Sequence, residues 1–171
     1  MAHYHATVES RSPAAETFGY LATFSNAADW DPGVLTGEQL DAGPPGTGSR
    51  FRLTVPFLGA RMSLTYQVIR FVPDREVLLH AANGVLRSTD RIVVAGAADG
   101  STVSYDAEVR LRGPLQLLDP LLRPGFRVVA ERAAAGLADA MSRRPPGRGT
   151  GTPPAAPAPS GGAAEPAGGR P

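Results

Sequence analysis

The feature that most constrains this chain is a series of alternating apolar and polar stretches through its middle, each cut short by turn residues, followed by one long segment of helical period. In residues 103–111 the side chains of Val103, Tyr105, Ala107, Val109 and Leu111 share one face, and Ser104, Asp106, Glu108 and Arg110 share the other. A period of two places successive side chains on opposite sides of a strand, so this is a strand buried on one face only. Runs of strand character cover residues 34–40, 49–57, 62–71, 76–82, 86–94 and 102–111. Gly43-Pro-Pro-Gly46, Leu58-Gly59, Pro73-Asp74, Asn83-Gly84 and Asp99-Gly100 separate them at hairpin length. Short turns can only join antiparallel neighbours, which predicts a meandering antiparallel sheet. Tyr4, Ala6 and Val8, alternating with His3, His5, Thr7 and Glu9, add a seventh strand at the start.

Between the first strand and the meander, Ser12 can cap and Pro13 is preorganised for a first helical residue, with Glu16 near the positive end. A helix is expected over residues 13–22, with Phe18, Leu21 and Ala22 on its apolar face. Asn26 can cap a second short turn carrying Trp30, and Asp31-Pro32 ends it because a residue before proline is driven out of helical geometry. After the meander, Leu115, Leu117 and Leu118 lead to Asp119-Pro120, a cap followed by a first helical residue. Phe126, Val129, Ala130, Ala133, Leu137, Ala140 and Met141 then recur at spacings of three and four, with Arg127, Glu131, Arg132 and Asp139 largely elsewhere. One face of a long helix is therefore apolar and must lie on the sheet. Pro124-Gly125 predicts a kink or a late helix start.

With 171 residues, 42% of them hydrophobic and 19% charged, the chain has the size and composition of one ordinary α+β domain. From residue 143 onward it holds eight of the 17 prolines and no large apolar residue. Such a segment cannot offset the ordering cost of roughly 1–2 kcal/mol per residue, so we expect a domain over 1–142 and a disordered tail over 143–171. The tail reads either as a solubilising extension or as an Arg-bearing arm for a protein partner, whose nature the sequence leaves unknown. No cysteine is present, which excludes disulfides, thiolate metal sites and a cysteine nucleophile. The first residues lack a signal-peptide pattern and no stretch nears the ~18 apolar residues of a membrane span, so a cytoplasmic chain with no membrane insertion is expected. A net charge of +1 gives no reason to expect nucleic acid as a partner.

The order strand, two short helices, six strands, long helix resembles the START-like helix-grip superfamily (SRPBCC), in its polyketide cyclase/dehydrase and lipid-transport branch. The segments that carry the resemblance are Ser12-Pro-Ala-Ala-Glu-Thr-Phe18, Asn26-Ala-Ala-Asp-Trp-Asp-Pro32 and Gly113-Pro-Leu-Gln-Leu-Leu-Asp-Pro-Leu-Leu122. It covers about Tyr4 to Met141. It implies a helix-grip fold, a seven-stranded curved antiparallel sheet wrapped around the long C-terminal helix, with a cavity between them for a lipid, polyketide, quinone or similar molecule. Fold of this kind underdetermines function.

By parity the inward positions include Phe51, Leu53 and Val55; Met62, Leu64, Tyr66 and Val68; and Tyr105, Ala107 and Val109. With Trp30 from the short helices and Phe126, Val129 and Ala133 from the long one, they form the candidate ligand-binding set. For any one strand residue of this set, the plainer reading is an ordinary core residue. Trp30, the one tryptophan, is open to both readings, as a core anchor or as the seal of a pocket mouth. Asp29 and Asp31 are expected to cap or to face solvent. Most titratable strand residues fall on the outward parity, so no catalytic residue is assigned and carriage of a small hydrophobic molecule is preferred to catalysis. His80, Arg87 and Asp90 are the exceptions to watch, because a bulge would reverse their parity. An inward set would favour the alternative, an aromatase/cyclase-like enzyme. His3 and His5 lack a third ligand at metal spacing, and neither metal nor cofactor is expected.

Overall fold

The computed structural model describes residues 2–57 and 59–143, with the side chains of residues 115 and 118–127 outside the description. The chain runs β1 (Ala2–Ser10), α1 (Ala14–Ala22), a 3-10 turn (Phe24–Asn26), α2 (Ala27–Trp30), β2 (Thr36–Gln39), β3 (Arg50–Phe57), β4 (Ala60–Val72), β5 (Glu76–Ala82), β6 (Leu86–Ala97), β7 (Gly100–Leu111), a second 3-10 turn (Gly113–Leu118) and α3 (Asp119–Arg143). All seven strands join one sheet in the order β1-β7-β6-β5-β4-β3-β2, antiparallel at every pairing. The meander and its apolar parity are as the alternation predicts. The pairing of the first strand with the last, Tyr4 opposite Ala107, is the long-range step no local pattern contains. Of the tail expected over 143–171, Arg143 ends α3 and residues 144–171 lie outside the described residues.

Two turns show why the hairpins close where they do. Asn83 Oδ1 accepts the backbone N–H groups of Val85 and Leu86 at 2.8 and 2.9 Å, replacing turn bonds that the backbone alone would leave unmade. Gly100 sits at φ 140°, and a Cβ there would lie 2.0 Å from the Ser10 carbonyl oxygen, so only glycine lets β7 start against the end of β1. In β4 the ladder to β5 slips between Val68 and Arg70, so that Ile69 and Arg70 both face outward. The slip reverses the parity, so that Phe71 turns inward to meet Phe18 edge-on at 5.3 Å.

Two expected caps act differently. The N-cap of α1 is Pro13, without a side-chain cap bond. Ser12 is instead buried beneath it, its carbonyl within 2.9 Å of the Ser101 hydroxyl and 3.3 Å of the Thr17 hydroxyl, which ties α1 to the start of β7. Asn26 makes no cap bond to α2; its side chain donates back to the Tyr20 carbonyl at 2.9 Å, closing the end of α1. The long helix runs over Asp119–Arg143. Ala130, Ala133, Leu137 and Met141 are buried, and α3 packs on β1 and α2. Val129, expected on the buried face, is 47% exposed.

The outward face of the sheet carries the charges. Arg91 Nε donates to Glu76 at 3.0 Å, and Arg50 pairs with Asp41 at 2.8 Å. His5 Nδ1 lies 2.7 Å from Asp106, but no group of three metal-ligating side chains occurs among the described residues.

Candidate functional site

The inner face of the sheet is covered in two different ways. Over one half, α1 lays Phe18 and Leu21 on the sheet, with Val77, Leu79, Ile92 and Val103 fully or almost fully buried in the same core. Phe24 stacks edge-on against Phe51 and Tyr66 at centroid separations of 6.4 and 5.0 Å and bounds this core. Over the other half the cover is α2, the loop after it and the middle of α3, and it does not close down. A cavity of about 370 Å³ remains there. The small side chains Ala107, Ala130 and Ala133 leave the space, and Leu53, Val55, Met62, Leu64, Val109 and Trp30 give it an apolar wall. Protein interiors rarely keep voids larger than a few waters, so a space of this size is a built feature.

Ten of the thirteen residues expected to contact a ligand line this cavity: Trp30, Leu53, Val55, Leu64, Tyr66, Tyr105, Ala107, Val109, Val129 and Ala133. Phe51 and Val68 do not. Both are buried in the solid half of the core, Phe51 against Phe24, because they sit on the inward face but beyond the reach of the open end. The side chain of Phe126 lies outside the described residues. Trp30 is 4% exposed, lines the cavity and meets Tyr105 edge-on at 5.7 Å, so it is anchor and wall together.

One end of the cavity is polar. Asp90 projects inward from β6, buried, where its Oδ1 accepts the Tyr105 hydroxyl at 2.6 Å and its Oδ2 the Ser88 hydroxyl at 2.9 Å. Burial pushes its pKa up to about 6, against the opposing effect of these hydroxyls and of Tyr66. Asp31 borders the same space, and its Oδ1 accepts the Gly33 backbone N–H at 2.7 Å, an Asx turn that shapes the loop after α2. Burial raises its pKa too. Of the two expected alternatives, capping or facing solvent, Asp31 takes the first while also lining the cavity, and Asp29 is exposed. Tyr66 and Tyr105 are held neutral, first by burial and then by the neighbouring Asp90 charge.

Of the three titratable exceptions, only Asp90 turns inward. His80 stands on the outer face beside Thr89, 3.3 Å away, and Arg87 is exposed. No bulge interrupts β6 on either side, so Asp90 shares the parity of Leu86, Ile92 and Val94. Ser88 and Asp90 were legible as polar residues on an otherwise apolar face of the strand. Tyr4, Phe24 and Leu86 also line the cavity and carried no separate signal in the sequence.

The family model described as polyketide cyclase / dehydrase and lipid transport matches residues 1–142, and the chain belongs to that family. Its fold is similar to that of a START superfamily protein from Mycobacterium smegmatis, with TM-score 0.67 and 16% identity over 82% of this chain and 97% of that one. It is similar to the Zhui aromatase/cyclase from Streptomyces sp. R1128, with TM-score 0.63 and 18% identity over 81% and 90% of the two chains. A third likeness is to TTHA0849 from Thermus thermophilus, with TM-score 0.64 and 14% identity over 82% and 95%. At these identities the likeness shows the START-like helix-grip fold alone. No curated protein matches the sequence. No helix among the described residues is long and apolar enough to cross a membrane.

Proposed function

We propose that the domain binds and carries a small, largely apolar molecule in the cavity between the sheet and α3. The observation that supports this most is the cavity itself, about 370 Å³ of mainly aliphatic and aromatic wall ending in one polar cluster. A ligand burying about eight methylenes there gains about 6 kcal/mol before ordering costs, so apolar burial alone sets a dissociation constant no tighter than tens of micromolar. Trp30, in the wall and the one tryptophan of the chain, reports occupancy directly. Native mass spectrometry of freshly purified protein, followed by titration of Trp30 emission with lipids, quinones and aromatic polyketides, tests the reading. A retained mass or a saturable emission change is expected. An empty chain whose emission none of the panel alters would end the proposal.

A second reading is favoured by one observation: Asp90, in the cavity wall with a pKa of about 6, suits proton transfer near neutral pH. In an aromatase/cyclase-like enzyme it would move protons at the reacting carbon, held in place by the Tyr105 and Ser88 hydroxyls. Release of an aromatic product from a poly-β-ketone thioester, lost in Asp90→Asn while binding persists, would replace carriage by catalysis.

A further inference from the structure

Resting on that reading of the cavity, we propose that it selects apolar molecules whose head group donates hydrogen bonds, a hydroxyl or an ammonium, and turns anionic ones away. The polar end has an unusual balance. Three of its donors are committed in full, the Tyr105 and Ser88 hydroxyls to Asp90 and the Gly33 N–H to Asp31, and the Tyr66 hydroxyl is drawn to Asp90 as well. What remains toward the cavity is acceptor capacity, because an ionised carboxylate offers about four lone-pair sites and each Asp90 oxygen accepts one of these hydroxyls, with Tyr66 close enough to share the group.

Charge points the same way. Asp31 and Asp90 are the only residues among the described lining that carry a charge near neutral pH, and no Arg or His is among those described lining residues. The groups around Asp90 are Tyr105 from β7, Ser88 from β6, Tyr66 from β4 and Asp31 after α2, while α3 contributes only Val129, Ala130 and Ala133 among the described lining residues. A donor head group uses the spare lone pairs and meets favourable charge. An anion would sit beside a carboxylate in a site that water screens poorly. Fatty acids and phospholipids are thereby disfavoured against alcohols, phenols and amines of the same size.

The test uses octan-1-ol, octylamine and octane-1-sulfonate on the full chain, with affinities from Trp30 emission and calorimetry at pH 7.5 and pH 5. The alcohol and the amine are expected to bind at least tenfold more tightly than the sulfonate at pH 7.5. The sulfonate, anionic at both values, should gain at least fivefold at pH 5, where Asp90 is protonated, and size cannot explain that gain. Asp90→Asn, and Asp31→Asn as a second variant, should narrow the gap between amine and sulfonate. Sulfonate binding as tight as the alcohol at pH 7.5, or no gain at pH 5, overturns the donor rule and leaves the cavity reading standing. Failure of all three probes to bind overturns both.

Discussion

Asp90 costs the fold stability in order to stand where it does. Its carboxyl moves from an ordinary 3.8 to about 6 on folding, so between those values the folded chain holds a proton that the unfolded chain has lost. Stability from this group is therefore full below about pH 4 and falls as the pH rises through 6, by roughly 3 kcal/mol. Urea denaturation should show the wild type losing more stability than Asp90→Asn across this window, since groups such as Glu76 shift the other way in both proteins. Parallel profiles of the two from pH 4 to 7 would contradict the burial. Tyr105→Phe removes the 2.6 Å hydrogen bond that holds the value down, so carboxyl NMR should find the Asp90 pKa above its wild-type position. Most wall residues were legible at this scale, because parity alone put Leu53, Leu64 and Val109 inward. Parity could not separate them from Phe51 and Val68, which face the same way but lie under a different part of the cover. Asp31 was missed because its direction depends on a loop rather than on a strand.

At the scale of elements, α3 is held at one close approach. A Cβ on Gly136 would lie 2.0 Å from the Trp30 carbonyl oxygen, so the helix touches α2 backbone to backbone. Alanine improves helix propensity by about 1 kcal/mol, yet the collision is with backbone that cannot rotate away. Gly136→Ala should therefore destabilise, by about 2 kcal/mol or more in chemical denaturation, and unchanged stability would mean that α3 sits further from α2. One residue on, Leu137 is 1% exposed, and Leu137→Asp would bury an unpaired carboxylate at a cost of several kcal/mol. Asp139 is exposed and pairs with Arg143 at 2.6 Å, so Asp139→Ala should change stability by less than ~0.5 kcal/mol. The reverse order of damage would refute the assigned face. The stripe from Ala130 to Met141 was readable because burial on one side imposes the helical period; Val129 escaped it because the cavity leaves its side uncovered. The caps at Ser12 and Asn26 misled for two reasons: the Ser12 carbonyl is tied to Ser101 across the fold, and the Asn26 side chain turns back to the end of α1 instead of forward to α2.

For the whole molecule, the fold was legible through the meander and the covering helix, but the volume of the cavity depends on how two covers of different thickness meet one sheet. No single segment encodes that. The domain boundary proposed near residue 142 rests on composition, and removing residues 143–171 should leave the melting temperature within ~4 °C, near 1 kcal/mol for a domain of this size. A larger drop in differential scanning calorimetry would place part of the core beyond the boundary. The central claim is that a ligand enters between the sheet and α3. Isotope-filtered NOE spectroscopy with octan-1-ol as the probe addresses it most directly. Contacts from the probe to the methyl groups of Leu53, Leu64 and Val109 are predicted, since all three line the cavity; contacts confined to the exposed Leu35 and Ile69, or none at all, would contradict the account.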